Sequence, residues 1–222
     1  MDELRLAEDR SRGSVSGLLQ RPDRAFALYV MAHGAGADMR HRFMQSMADA
    51  LGAVGVATLR FNFPYTELRR RAPDPQPVLE AYVRSVCADA RRLAPDLSLF
   101  AGGKSMGGRM TSNAFARAAL ADVRGLVFLG FPLHAAKKPA RARSEHLRAV
   151  TVPMLFLQGT RDDLADLSLM RELCGELGAR ARLCEIEDAN HSFAVRKSSG
   201  RSDEEVLAAL AASTAEWMRP LT

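Results

Sequence analysis

Short apolar runs alternate with longer helix-patterned segments along this chain, and that alternation restricts its fold more than any other feature. The runs at 15–22 and 25–34 read as an opening pair of strands. They are followed by runs at 54–63, 97–103, 125–132, 152–159 and 181–188. The later runs are apolar on both faces, the pattern of strands covered by helices on each side of a parallel sheet. Between them, helical spacing predicts helices over about 39–52, 77–93, 106–121, 164–177 and 203–218. The last opens with Ser202 and Glu205 in capping-box spacing and carries Leu207, Leu210, Thr214 and Trp217 along one stripe. Strand–helix alternation of this kind implies an α/β fold: a mostly parallel, doubly wound sheet of about seven or eight strands, with its chemistry at the carboxyl ends of the strands.

The length of 222 residues and a hydrophobic fraction of 47% suit one α/β domain over 1–222. No internal repeat or linker divides the chain, and the most loop-like stretches are 64–76 and 133–151. Against 26 acidic residues stand 31 basic ones, a mild excess. The basic clusters at 68–72 and 137–143 lack interleaved aromatics, so they read as solvated faces and no nucleic-acid partner is expected. Cys87, Cys174 and Cys184 form no C-x-x-C pair, which argues against a disulfide framework or a zinc knuckle. The charged first residues contain no apolar signal core, and no run is long enough to span a bilayer. The expectation is a cytoplasmic protein with no membrane partner. Its oligomeric state is not legible.

The stretch LFAGGKSMGGRMTS, 99–112, allows two readings of Ser105. As G-G-K-S it resembles the end of a phosphate-binding loop. A Walker A loop, however, needs glycine at position 98, where this chain has Ser98, and it usually follows the first strand of its domain. As G-K-S-M-G it is a nucleophile elbow. A serine on a tight strand-to-helix turn needs small neighbours two positions away, which Gly103 and Gly107 supply, and Gly108 lets the helix pack against the strand.

An elbow demands a base, a carboxylate to orient it, and backbone N–H donors for a developing oxyanion. After the strand at 152–159, the turn GTRDD offers Asp162 and Asp163. After the final strand, EDANHSF offers His191. The glycine-rich turn HGAGADM after the strand at 25–34 exposes N–H groups at Ala35 and Gly36, to be joined by that of Met106. The serine–acid–histidine order is that of a hydrolase elbow. Four separate segments thus agree in type and order.

These residues resemble the α/β hydrolases: HGAG, GKSMGG, GTRDD and ANHSF fall at corresponding places over nearly the whole chain. RFNFPY (60–65), GFPLHAAKKPARARSEHL (130–147) and ANHSFAVRK (189–197) resemble a narrower group, the small lidless bacterial branch often labelled dienelactone-hydrolase-like. Eukaryotic relatives of that branch include a testis-expressed protein and a subunit of a chromatin-acetylation complex. The resemblance implies Ser105 as nucleophile, Asp162 as acid and His191 as base, with no large cap domain, no metal and no organic cofactor. It also implies esterase-type chemistry on a small-molecule ester, thioester or lactone. Dienelactone hydrolases proper carry cysteine at the elbow, so their substrate is not transferred to this serine chain.

Around the triad, His33 reads as a structural residue holding the oxyanion turn, His41 as a surface or capping residue, and Asp188 as a turn cap. Phe61 and Phe63 are expected in the core. Lys104, Tyr65 and His134 are substrate-pocket candidates. Lys104, Lys137, Lys138, Arg141 and Arg143 together suggest attraction of an anionic substrate. The reading from another class is a hydrolase fold kept as a protein-interaction module.

Overall fold

In the computed structural model, which describes residues 2–9 and 13–222, the apolar runs form one eight-stranded sheet in the order β1-β2-β4-β3-β5-β6-β7-β8. The strands are β1 (Asp2–Asp9), β2 (Gly13–Gln20), β3 (Ala27–Ala32), β4 (Val56–Phe61), β5 (Ser98–Lys104), β6 (Val123–Leu129), β7 (Met154–Gly159) and β8 (Ala181–Ile186). From β4 to β8 across the sheet all pairings are parallel. β2 runs antiparallel to β4, and β1 antiparallel to β2. The two opening runs are therefore consecutive in sequence but not paired, because β4 lies between them.

Period-two alternation divides the central strands between two cores. Leu28, Val30 and Ala32 of β3 face a cluster containing Tyr82, Val83 and Val86 of α3 (Gln76–Leu93), Met110 and Phe115 of α4 (Met106–Arg117), and Met170 and Leu173 of α5 (Leu167–Leu177). Ala27, Tyr29 and Met31 face the other, with Met44, Met47 and Leu51 of α1 (Arg42–Ala53) and Val206, Leu210 and Trp217 of α6 (Asp203–Met218). Each large apolar side chain so buried contributes about 1.5–3 kcal/mol. A four-residue α2 (Pro64–Glu67) follows β4, and the capping box of α6 forms as its sequence predicts.

β1 lies in the charged N-terminal segment that the apolar pattern left out. Leu6 is buried, the register shifts between Leu6 and Asp9, and the Ala7 N–H donates to Asp89 on α3 at 2.6 Å. A strand of mixed charges suits a sheet edge. Among the described residues no helix is long and apolar enough to cross a membrane.

The register aligns the strand ends that matter. Ala32 lies opposite Gly103, Lys104 opposite Leu129, Leu129 opposite Leu157, and Gly159 opposite Ile186. The loops after β3, β5, β6, β7 and β8 consequently emerge along one rim.

Candidate active site

Ser105 occupies the one-residue junction between β5 and α4, with φ 50° and ψ −117°. Such backbone in a residue with a side chain is strained and persists only where its surroundings fix it. Its N–H donates to Leu129 O at 3.1 Å, holding the turn to β6. The flanking glycines permit the approach of the neighbouring strand. A Cβ on Gly103 would lie 2.1 Å from Ala32 O, and one on Gly107 2.3 Å from the same oxygen. As the first residue of α4, Met106 has no intrahelical acceptor for its N–H.

The imidazole of His191 bridges two loops. Its Nε2 lies 2.9 Å from Ser105 Oγ, and its Nδ1 lies 2.7 Å from Asp162 Oδ2. An Nδ1–H donating to the carboxylate leaves Nε2 free to accept the serine proton. The Asp162 side chain is completely buried, while that of His191 retains 25% exposure toward the open side. Asp162 also accepts from Leu164 N at 2.8 Å and from Gln158 Nε2 at 2.5 Å, so both its oxygens are occupied. Asp163, its neighbour and rival, is exposed.

The acid and histidine loops are laced together. Thr160 N donates to Ile186 O and Arg161 N to Ala189 O, while Asp188 N donates to Thr160 Oγ1. Asn190 builds the histidine turn through its side-chain oxygen, which accepts from Ser192 N at 2.9 Å and Ala194 N at 3.1 Å. Asn190 and Gln158 were not singled out in the sequence. Gln158 carried a signal: it is the one polar side chain in the buried run MLFLQG.

The turn after β3 approaches the serine closely, since a Cβ on Gly34 would lie 3.6 Å from Ser105 Cβ. Nδ1–H of His33 donates to Gly34 O at 2.8 Å and Nε2 accepts from Phe63 N at 3.1 Å, which ties this turn to the β4 loop. Burial lowers the pKa of His33, consistent with a neutral ring. Among the described residues, neither Ala35 N–H nor Gly36 N–H donates to a backbone carbonyl. The Tyr65 ring is buried 5.9 Å from that of His33. Burial raises its phenol pKa, against the Thr66 hydroxyl and the Gly36 amide, which lower it. Tyr65, expected at the pocket, thus packs against His33 behind the turn after β3. His41 caps α1 by accepting from Phe43 N.

Two pocket candidates are placed otherwise than expected. His134 is buried, and both ring nitrogens are engaged by main chain: Nδ1–H donates to Ala135 O at 2.8 Å and Nε2 accepts from Asp166 N at 2.7 Å. It fastens the 133–151 stretch to the acid loop and has no nitrogen left for a substrate. Lys104 turns back rather than outward, with Nζ 2.6 Å from His191 O. The expected basic field is weaker for a further reason: Arg141 pairs with Glu176 at 2.6 Å, and Arg143 donates to His134 O.

Among the described residues no large cap covers the rim: the 133–151 stretch contributes a 3-10 helix, Ala142–Ala149, and a single bridge between Ala135 and Lys138. A cavity of about 710 Å³ opens nearby between α1 and α6, lined in part by Phe43, Val54, Leu207 and, from the histidine loop, Ser192 and Phe193. No group of three or more metal-ligating side chains is found among the described residues.

The fold has many counterparts among solved structures. A lidless α/β serine hydrolase from Xanthomonas campestris is 21% identical, with 97% of this chain and 94% of that one covered at a TM-score of 0.74. Dienelactone hydrolase from Anabaena variabilis is 20% identical, over 98% and 97% of the two chains, at 0.75. The esterase domain of a Rhodothermus marinus protein is 15% identical, over 99% and 98%, at 0.73. At these identities the likeness establishes the fold. Sequence carries the assignment further: residues 25–219 match the family model described as the alpha/beta hydrolase domain, and the chain belongs to that family.

Proposed function

We propose that this hydrolase is a serine enzyme that cleaves a carboxylic ester, thioester or lactone through an acyl-enzyme formed on Ser105. The observation that carries the reading is the continuous chain from Asp162 Oδ2 through His191 to Ser105 Oγ, with links of 2.7 and 2.9 Å. Those are the separations at which a base takes the proton of a weak nucleophile and a carboxylate steadies the resulting imidazolium. His191 Nε2 accepts the Ser105 proton as Oγ attacks the acyl carbon. The negative oxygen that forms is held by the N–H of Met106 and by that of Ala35 or Gly36. Each such donor contributes about 3 kcal/mol to the barrier reduction. The imidazolium protonates the departing alcohol or thiol. A water that then yields its proton to His191 attacks the acyl-enzyme and restores the serine.

The esterase and dienelactone hydrolase among the structural neighbours are consistent with acyl chemistry at such a rim. An interaction module would gain nothing from a strained serine facing a hydrogen-bonded imidazole. We place the enzyme in the cytoplasm, with its three cysteines reduced and a small molecule as substrate.

Labelling by a fluorophosphonate probe tests the reading. The wild type is expected to label and Ser105→Ala not to. A panel of p-nitrophenyl esters and acyl-CoA thioesters then assigns the acyl class. Equal labelling of the two proteins, or none of either, refutes the proposal.

A further inference from the structure

Lys104 immediately precedes Ser105, yet its side chain reaches a loop 87 residues away, where Nζ donates to His191 O at 2.6 Å. The site around it is closely built. Phe43 and Phe193 stack on each other at 5.7 Å, and Nζ lies 5.7 Å from the centroid of the first ring and 5.4 Å from that of the second. Gly130 completes the enclosure: a Cβ there would sit 3.1 Å from Lys104 Nζ and 3.5 Å from His191 Nδ1. A charged donor on a backbone carbonyl forms one of the stronger hydrogen bonds available, and two aromatic faces add cation–π attraction.

We propose that Lys104 is a positioning residue for the catalytic base, its ammonium fixing the histidine loop to the nucleophile elbow so that imidazole and hydroxyl stay in register. The inference rests on the serine-hydrolase reading above. It follows from connectivity. Ser105 is held by β5 and His191 by the loop after β8, and those strands are separated in the sheet by β6 and β7. The acid loop joins the histidine loop to β7, whereas the Lys104 ammonium ties it directly to the end of β5. Without that bond, the histidine loop is joined to β5 only indirectly, through the acid loop, β7 and β6, and by the reacting hydrogen bond itself.

Burial lowers the Lys104 pKa to about 8, opposed by the Asp162 carboxylate. The titratable groups packed around it are Asp162 and His191. On α1, His41 and Arg42 flank Phe43 and line the neighbouring groove. As pH rises through about 8 the ammonium becomes a neutral amine, a weaker donor, and the tether slackens.

The test compares wild type, Lys104→Met and Lys104→Gln on a neutral p-nitrophenyl ester between pH 6 and 10. A displacement of about 1 Å at the reacting groups lowers the rate about 10²-fold, so Lys104→Met is expected to lose about that factor in kcat with KM little changed. The wild-type kcat should fall above about pH 8 and the Met profile should not. Gln, a neutral donor, should recover part of the rate without restoring the alkaline fall. A Met variant within about threefold of wild-type kcat, or one retaining the alkaline fall, overturns the inference. If circular dichroism shows Met unfolded, the Gln variant decides: an alkaline fall persisting there overturns it equally. Fluorophosphonate labelling separates the two levels. Wild-type labelling that equals Ser105→Ala removes the hydrolase reading, whereas a wild type that labels at the same rate as Lys104→Met removes only the lysine.

Discussion

Adding a single methyl group at Gly107 should cripple the site while leaving every candidate catalytic side chain in place. The position is helical and its φ is ordinary, so propensity alone favours Gly107→Ala by about 1 kcal/mol. Sterics oppose this. The new Cβ would lie 2.3 Å from Ala32 O, 2.6 Å from Ala32 C and 2.7 Å from His33 O. All three are main-chain atoms of the strand end that launches the oxyanion turn, and none can rotate aside. About 1 Å of separation must be made up between the start of α4 and the turn at 33–36. Overpacking of this kind costs about 1–3 kcal/mol; against main chain that cannot turn aside the upper end applies, and the net destabilisation after propensity is about 2 kcal/mol. At roughly 2–4 °C per kcal/mol for a chain of this size, Tm should fall by several degrees. The effect on rate is larger, because the displacement separates the Met106 N–H from the Ala35–Gly36 donors. Losing alignment at one donor lowers kcat about 10²–10³-fold. The assay is kcat on a p-nitrophenyl ester beside a thermal melt, with Gly175→Ala on α5 as control, since a Cβ there meets nothing within 4 Å. The control should be neutral or slightly stabilising and fully active. A Gly107→Ala protein with wild-type Tm and kcat within about threefold of wild type would refute the reasoning.

Other outcomes follow from the same geometry. Asp162→Asn should lower kcat by about 10⁴, because an amide at 2.7 Å from Nδ1 can favour the wrong imidazole tautomer, whereas Asp163→Asn at the exposed neighbour should change little; comparable losses in both would contradict the assignment. His146, in the 3-10 helix of the 133–151 stretch and bonded to Ser112 Oγ on α4 at 2.7 Å, has its pKa lowered to about 4 by burial, with Arg109 adding to the effect. The unfolded chain therefore takes up a proton near pH 6.5 that the folded protein refuses until about pH 4. Stability is fully present above pH 6.5 and is lost as pH falls toward 4, by at most about 3 kcal/mol. In urea melts at pH 7 and pH 4.5, His146→Gln should be less pH-dependent than wild type; an unchanged difference would exclude His146 as the source.

The parallel part of the sheet was legible because both-face apolar runs such as 97–103 and 152–159 suit strands covered by helices on each side, whereas the pairing of the two opening runs was not, since β4 comes between them. β1 was not, since its charged residues mark an edge and only Leu4 and Leu6 alternate toward the interior. Within the candidate site, Ser105 stands out by its glycines, and His191 and Asp162 by their places after strand ends; the fold brings the three within hydrogen-bonding reach. Where sequence reasoning went astray was in the direction of side chains. Lys104 adjoins Ser105 in sequence and His134 follows the end of β6 at the same rim, and polar residues in such places invite a substrate-binding role. Each instead answers a demand that only the folded backbone creates. A loop that leaves a parallel sheet at its rim carries carbonyls and N–H groups with no strand partner, and those that become buried must be paired. His191 O is such a carbonyl and Asp166 N such an amide; the nearest adequate donor and acceptor are Lys104 Nζ and His134 Nε2. Asn190, whose side chain accepts from Ser192 N and Ala194 N, belongs to the same class. A lidless hydrolase has no cap to press its loops into place, so this duty falls to side chains at the rim, and a polar residue next to a nucleophile is as apt to hold the loops as to hold the substrate.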